Sequence, residues 1–287
     1  MKIPVIKELK LKNNEKLSLK NDGNLTFFWV GTGSAFSKKL YQTNTVIIKG
    51  NNHVLVDCGT RCPAAFIDYG SPITNIRNYL ITHSHADHIG GLEEVALVNR
   101  YLIKNKPKMI VVKEYSKMLW EYSLKGGCAF NEVHDGKNLV LDDFFEILLP
   151  KKIINQSRPA YEIKFGNIDI KMFRTMHIPD SAKNWEEAAF SYGILIDERV
   201  LFTSDTKHDP DLINMLVNKY RGIEIIFHDC QLFTGGVHAS YEELMTYPVE
   251  IKNKMFLVHY GDNFGDFKPE NDGFLGFTRQ GCYYHFD

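Results

Sequence analysis

Residues 83–88 read His-Ser-His-Ala-Asp-His (HSHADH), which places three imidazoles and one carboxylate within six residues. Catalytic zinc sites use histidine nitrogen and carboxylate oxygen ligands at about 2.0–2.2 Å and keep one position open for water. A ligand set without thiolate suits zinc, with manganese or iron as alternatives. A chance cluster on a solvated loop is the competing interpretation, but the density of imidazoles argues against it. The stretch therefore predicts a metal site.

The sequence around this stretch indicates a strand-to-helix connection. Residues 78–82 (NYLIT) read as a short buried strand, and residues 92–103 (LEEVALVNRYLI) repeat apolar residues with roughly helical period. Loops in that position commonly carry active sites.

The rest of the chain alternates strands and helices, which predicts a mixed α/β fold. A helix is expected over 115–124, ended by a break at Gly126-Gly127. Hairpins are expected around residues 50–52 and 197–199. Further strands are expected at 24–30, 45–48, 53–56, 109–112, 145–149, 161–165, 168–176, 193–196, 200–203, 223–227 and 255–258.

Length and composition limit the organisation and the partners. We expect one domain over residues 1–287, with 1–23 as an N-terminal extension that forms an edge hairpin. The 34 basic and 35 acidic residues leave a formal net charge of −1, so no global positive field attracts long nucleic acids. The net charge does not exclude a local basic patch.

The cysteines and the apolar patterning predict a cytoplasmic protein. The five cysteines are scattered, odd in number and without a CxxC pair, which favours reduced thiols. Lysines interrupt the apolar residues of the first 20 positions, which is unlike a signal peptide. No apolar run is long enough to cross a bilayer, so no membrane partner is expected.

Further metal ligands are expected just after predicted strands. His177, Asp205 and His259 each follow such a strand. A single histidine at a strand end is more often structural than a ligand. The shared placement of the three residues favours a common site.

The HSHADH stretch matches the HxHxDH motif of the metallo-β-lactamase superfamily, and the chain resembles that superfamily over roughly residues 24–262. The resemblance implies a four-layer αββα sandwich that holds two zinc ions per chain, with manganese possible. It places His83, His85 and His177 on one ion and Asp87, His88 and His259 on the other, with Asp205 as the bridge. Two ions about 3.5–4 Å apart would activate the attacking water and stabilise both oxygens of an in-line displacement, and Asp87 would also orient the nucleophile.

A narrower resemblance is to the tRNA 3′-processing endonuclease branch (RNase Z). It rests on Gly31–Phe36 (GTGSAF) with Asn44, on residues 203–206 (TSDT) in place of SGDT, and on residues 228–231 (HDCQ) and 238–240 (HAS) in place of HEAT and HST. The resemblance implies phosphodiester cleavage, in which the leaving alkoxide needs a proton.

His238 and Asp229 are the candidate catalytic pair in these segments. His238 would contact a phosphate oxygen or act as general acid, and Asp229 would hold its tautomer. The competing interpretation makes His238 a surface residue beside Gly235-Gly236 and Asp229 structural. His228 is expected to be a packing or supporting residue.

The long arm by which tRNA-cutting members grip their substrate is missing, because only 27 residues separate His177 from Asp205. The chain therefore looks more like the small-substrate cyclic-nucleotide phosphodiesterases of the phage anti-Pycsar group. That resemblance implies hydrolysis of 3′,5′-cyclic nucleotides to nucleoside monophosphates by a homodimer in a bacterial or phage-infected cytosol. Four aromatics are candidates for stacking a base or for the core: Phe36, Tyr41, Trp120 and Phe264.

Three other functions remain open. An arm-poor nuclease of RNA ends would release a tRNA 3′ trailer. A lactonase or thioesterase would share HxHxDH and the bridging aspartate, but the HDCQ and HAS segments argue against it. A metal-bearing binding or scaffold module would have no activity, since fold does not determine function.

Overall fold

The computed structural model describes residues 7–12 and 14–286, and the chain divides into two compact units. The N-terminal unit comprises Glu8–Gly31, Asn44–Pro150 and the residues from Gly281 onward. The C-terminal unit comprises Thr32–Thr43 and Lys151–Gln280. Each unit contains one eight-stranded mixed sheet, as expected for an α/β fold.

The described residues form eighteen strands and nine α-helices. In chain order the strands are β1 (Lys7–Lys10), β2 (Leu25–Gly31), β3 (Asn44–Lys49), β4 (Asn52–Val56), β5 (Asn78–Leu80), β6 (Lys108–Ile110), β7 (Val133–His134), β8 (Lys137–Asn138), β9 (Glu146–Leu148), β10 (Lys151–Ile153), β11 (Ala160–Phe165), β12 (Ile168–Arg174), β13 (Tyr192–Ile196), β14 (Val200–Phe202), β15 (Ile225–Asp229), β16 (Met255–Val258), β17 (Gly276–Phe277) and β18 (Cys282–Phe286). The helices are α1 (Cys62–Asp68), α2 (Ala86–Ile89), α3 (Leu92–Leu97), α4 (Lys113–Leu119), α5 (Lys125–Ala129), α6 (Leu141–Phe144), α7 (Pro210–Lys219), α8 (Tyr241–Met245) and α9 (Val249–Lys252).

The sheet of the N-terminal unit has the order β1-β18-β2-β3-β4-β5-β6-β9. Neighbouring strands are antiparallel from β18 through β2 and β3 to β4. They are parallel from β4 through β5 and β6 to β9. The predicted hairpin is present, because Lys49 pairs with Asn52 across the turn. Val56 lies opposite Leu80 in the parallel pair, so the chain leaves both strands at the same edge.

The sheet of the C-terminal unit has the order β10-β11-β12-β13-β14-β15-β16-β17. Strands β10 to β14 are antiparallel and β14 to β17 are parallel. The predicted β13–β14 hairpin turns at Asp197 and Glu198, whose φ values of 51° and 56° match a type I′ turn. This hairpin supplies the only strands between His177 and Asp205, all of which lies in the described chain.

Helix α7 anchors this second sheet. It begins at Pro210 after Asp209, whose carboxylate accepts the Leu212 amide proton over 3.1 Å and so caps the helix. Its apolar residues Leu212, Ile213 and Leu216 are buried in a core with the strand residues Leu201, Ile226 and Leu257. Burial of each such side chain contributes about 1.5–3 kcal/mol and holds the strand ends in register.

Two helical predictions need correction. The helices expected over 92–103 and 115–124 are present, but each changes to a π-helix, at Val98–Ile103 and at Trp120–Leu124. The break expected at Gly126-Gly127 is wrong, because α5 continues through both glycines. A Cβ on Gly127 would lie 2.0 Å from a carboxylate oxygen of Glu93, an exposed and flexible side chain that can move away.

The first 23 residues contribute β1 to the edge of the first sheet beside β18. Residues 1–6 and Asn13 lie outside the described residues, so the expected edge hairpin stays a prediction, as does the single domain over 1–287. Within the described chain, no helix combines the length and apolar character needed to span a bilayer.

Candidate metal centre

The HSHADH stretch runs from the end of β5 into the short helix α2 of the N-terminal unit. His83, Asp87 and His88 are buried, and His85 is half-buried. The ligand atoms of His83, His88 and Asp57 all lie within 4.8 Å of one another. The predicted loop thus presents a compact group of imidazoles in this unit.

Asp57 organises this group and was missed by the sequence reasoning. Its carboxylate accepts protons from the Thr82 amide (2.8 Å), the Thr82 hydroxyl (2.6 Å) and Nδ1 of His88 (2.7 Å). Burial raises the pKa of Asp57, while His88 and Thr82 lower it. The signal available in the sequence was an aspartate directly after the predicted strand over 53–56. In the structure Asp57 has a backbone φ of 61°, which non-glycine residues rarely adopt.

This hydrogen bonding decides which ring nitrogens stay available. Nδ1 of His88 donates to Asp57, and Nδ1 of His83 lies 3.1 Å from the Thr82 hydroxyl. Nε2 of His88 then faces the Asp87 carboxylate across 3.4 Å. Since a neutral imidazole protonated on Nδ1 has a lone pair on Nε2, two acceptors face each other, and a cation between them satisfies both.

The C-terminal unit places its three predicted ligands at strand ends. His177 lies three residues after β12, Asp205 three residues after β14 and His259 directly after β16. His177 is fully buried, and Asp205 and His259 are 1% and 2% exposed. His259 has a backbone φ of 66°, which marks a locally strained conformation of the kind found at functional sites.

The geometry of these residues also fits a cation. Nδ1 of His177 donates to the Val237 carbonyl (2.9 Å), and burial lowers the pKa of His177 to about 4, so the ring is neutral near pH 7. Its Nε2 lies 3.7 Å from Oδ2 of Asp205, and Nε2 of His259 lies 3.5 Å from the same oxygen. A buried carboxylate beside the neutral His177 ring needs a compensating positive charge, which a divalent ion with nitrogen and oxygen ligands provides.

His238 and Asp229 lie against these candidate ligands. Nδ1 of His238 donates to Oδ2 of Asp229 (2.8 Å), and that oxygen also accepts the Thr206 amide proton (2.8 Å). The His238 ring stacks on His259 with centroids 4.7 Å apart, although 19% of its side chain remains exposed. The structure therefore places His238 beside the candidate ligands and in reach of solvent.

Two residues of the quoted motifs have a supporting role. His228 is fully buried and its Nδ1 donates to the Asp229 carbonyl (2.8 Å), as expected for a packing residue. Ser204, which stands where the SGDT pattern has glycine, adopts a φ of 51°. The serine thus takes up the backbone conformation that glycine permits at no cost, so the departure from the pattern leaves the turn intact.

The four candidate aromatics have different surroundings. Trp120 is buried and packs near Phe144 with centroids 5.8 Å apart, so it is a core residue. Tyr41 and Phe264 are half-buried. Phe36 is 85% exposed.

Comparisons with known proteins identify relatives over most of the chain. A family model described as anti-Pycsar protein Apyc1 matches residues 25–284. The chain is 40% identical over 263 residues to the anti-Pycsar protein Apyc1 of Bacillus phage BSP38, covering 89% of this chain and 96% of that protein. It is 38% identical over 259 residues to the protein of the same name from Bacillus phage vB_BsuM-Goe3, covering 88% and 95%.

Solved structures confirm the predicted metallo-β-lactamase fold. The metallo-β-lactamase fold protein YhfI from Bacillus subtilis matches with a TM-score of 0.63 at 14% identity, over 91% of this chain and 99% of that protein. A diphosphatase of the PhnP family matches with a TM-score of 0.60 at 15% identity, over 83% and 87%. The short form of human tRNase Z matches with a TM-score of 0.55 at 16% identity, over 83% and 93%.

Proposed function

The chain belongs to the anti-Pycsar protein Apyc1 family, and we propose that it is a metal-dependent phosphodiesterase that hydrolyses 3′,5′-cyclic nucleotides to nucleoside monophosphates. The observation that carries the reaction type is the His238–Asp229 hydrogen bond beside the buried candidate ligands His259 and Asp205. An imidazole so placed protonates a leaving alkoxide, which phosphodiester cleavage requires.

We propose two zinc ions per chain, with manganese as an alternative. The assignment follows the superfamily pattern, with His83, His85 and His177 on one ion, Asp87, His88 and His259 on the other, and Asp205 between them. It is supported separately in each unit by imidazole nitrogens that face buried carboxylates. When bound, such ions supply Lewis acidity and a water molecule of lowered pKa.

The protein's own residues supply the remaining chemistry. Asp229, held by Thr206, keeps the proton of His238 on Nδ1 when the ring is neutral, so Nε2 is the atom that exchanges a proton with substrate. The protonated ring gives its Nε2 proton to the departing ribose oxygen, and the positive charge before transfer is stabilised by Asp229. Asp87 orients the attacking nucleophile.

A small substrate is supported by what lies between His177 and Asp205. That segment contains one hairpin, β13–β14, instead of a long protruding arm. The nearly balanced charge also provides no general attraction for long RNA. We further propose that the protein acts in a reducing cytosol, in which its five buried cysteines stay as thiols. The resemblance to the anti-Pycsar group leads us to propose a homodimer as well.

The function is tested by incubating zinc- or manganese-loaded protein with 3′,5′-cyclic mononucleotides, cyclic dinucleotides, a precursor tRNA and an acyl-homoserine lactone. We expect conversion of cyclic mononucleotides to monophosphates while the tRNA and the lactone stay intact, and loss of that conversion in Asp205→Ala. Release of the tRNA trailer alone would move the protein to RNA processing. Opening of the lactone alone would make it a lactonase.

A further inference from the structure

The loop after β2 is held in one conformation by Asp262. The Asp262 carboxylate accepts protons from the Ser37 hydroxyl (2.5 Å) and from the amides of Lys38 (2.9 Å) and Lys39 (3.2 Å). These hydrogen bonds hold the pKa of Asp262 below its ordinary value, with the Ser37 hydroxyl as the largest cause. The carboxylate is therefore ionised at neutral pH and accepts these hydrogen bonds from the loop.

The loop is compact as well as anchored. The Ser37 amide donates to the Ser34 carbonyl (3.1 Å), which closes a turn with Ala35 and Phe36 at its two central positions. A Cβ on Gly33 would lie 2.7 Å from the Ser37 Cβ and 2.9 Å from the Leu40 Cβ, so the turn packs as tightly as it does only over glycine.

This loop runs beside a candidate metal ligand of the same unit. The His259 amide donates to the Thr32 carbonyl (2.9 Å), and the Ser34 amide donates to the Tyr260 carbonyl (3.0 Å). Phe36 follows two residues later, at most about 7 Å further along the chain. The backbone of Phe36 is thus tied, through Ser34 and Tyr260, to the segment that carries His259.

The exposure of Phe36 has no structural explanation within its unit. A side chain that is 85% exposed adds little to the core. The loop that carries it is nevertheless fixed by hydrogen bonds from the Ser37 hydroxyl and the Lys38 amide to Asp262, and by tight packing over Gly33. Rigid aromatic faces presented to solvent bind the π-faces of bases at a low cost in conformational entropy.

We propose that Phe36 is the platform on which the nucleobase of the substrate stacks, with Asp262 as the residue that positions it. This inference rests on the proposed function and extends it to a base-recognition element. Stacking tolerates any base, so Phe36 contributes affinity for nucleotides over base-free phosphodiesters and little preference among bases.

The test compares a nucleotide with an analogue that lacks the base. Steady-state kinetics are measured on 3′,5′-cyclic UMP and on methyl β-ribofuranoside 3,5-cyclic phosphate. For Phe36→Ala we expect KM for cyclic UMP to rise about 5- to 150-fold, as expected for loss of one base–aromatic stack, with kcat and the base-free analogue nearly unchanged. Phe36→Trp should restore the affinity. Tyr122→Ala, which alters another side chain of 85% exposure, is the matched control and should behave as wild type.

Two outcomes would overturn the inference while leaving the function intact. One is unchanged KM for cyclic UMP in Phe36→Ala. The other is an equal loss on both substrates together with a change in oligomeric state by analytical ultracentrifugation, which would make Phe36 a subunit contact. Asp262→Ala should reproduce the selective rise in KM, and a wild-type KM in this variant would overturn the positioning role of Asp262. If the wild-type protein hydrolyses none of the 3′,5′-cyclic mononucleotides, the proposed function itself fails; if it hydrolyses another one but not cyclic UMP, the same comparison is made on that nucleotide.

Discussion

Nδ1 of His238 donates to Oδ2 of Asp229 over 2.8 Å, and the same oxygen accepts the Thr206 amide proton. Asp229 is completely buried and lies at the end of β15, whereas His238 is on the loop that follows and is 19% exposed. A buried strand residue thus orients a partly exposed side chain on the following loop. This relationship makes the roles of the two residues separable by experiment.

We expect His238→Ala to slow turnover by about 10²- to 10⁴-fold, because the proton for the leaving alkoxide would have to come from water. The metal content, measured by inductively coupled plasma mass spectrometry, should stay at the wild-type value, since His238 is outside the proposed ligand set. Full phosphodiesterase activity in this variant would refute the assignment of His238. Asp229→Asn should lower kcat and shift the pH profile of kcat, because the amide no longer stabilises the protonated ring.

Asp57 is expected to support the metal site through His88 and Thr82. Replacing Asp57 by asparagine removes the carboxylate that accepts the His88 Nδ1 proton, so we expect metal affinity to fall about 10- to 100-fold. Competition with a chromogenic chelator measures the affinity. Asp142→Asn, at an exposed position of the same unit, is the control. Equal metal affinity in both variants would show that Asp57 acts on folding alone.

Asp205→Ala should lose metal from both proposed positions, since Asp205 is the bridge in the proposed ligand set. We expect two ions per chain in the wild-type protein and fewer than one in the variant, with no detectable turnover. The melting temperature of the variant should respond little to EDTA, because bound ions stabilise only a form that binds them. Asp211→Ala, at an exposed position of α7, should keep wild-type metal content. Zero metal in carefully purified wild-type protein would contradict the whole scheme.

His53 makes the stability of the protein depend on pH. Burial, with a smaller contribution from Lys20, lowers its pKa from 6.5 to about 4, and its Nε2 accepts the Arg77 amide proton. His53 therefore binds a proton at higher pH in the unfolded chain than in the folded one. Its contribution to the free energy of unfolding is fully present above pH 6.5 and is lost as the pH drops from 6.5 towards 4.

Chemical denaturation at a series of pH values measures this loss. We expect His53 to account for about 2–3 kcal/mol of it, and His53→Gln to have a correspondingly flatter profile. His134→Gln, at an exposed histidine, should keep the wild-type slope. Parallel profiles for wild type and His53→Gln would assign the acid sensitivity to other groups.

Local sequence patterns predicted twelve of the eighteen strands, because apolar runs such as residues 255–258 have few alternatives to a buried strand. They missed the short strands β7, β8, β10 and β17 and the C-terminal strand β18. They failed at Gly126-Gly127, which carries the pattern of a helix break although α5 passes through both glycines. Phe36 and Trp120 look alike as isolated aromatics, but one is 85% exposed and the other 6%.

By itself, the sequence determined the chemistry of the candidate site, since HSHADH and the residues after predicted strands name imidazole and carboxylate ligands without thiolate. Only the tertiary structure decided which nitrogen of each ring is available and what holds it. Asp57 is 31 residues before His88 in the sequence, and Val237 is 60 residues after His177, yet both pairs meet through parallel strands and folded loops. Such contacts depend on register and backbone conformation across the sheet, which no local pattern of residues encodes.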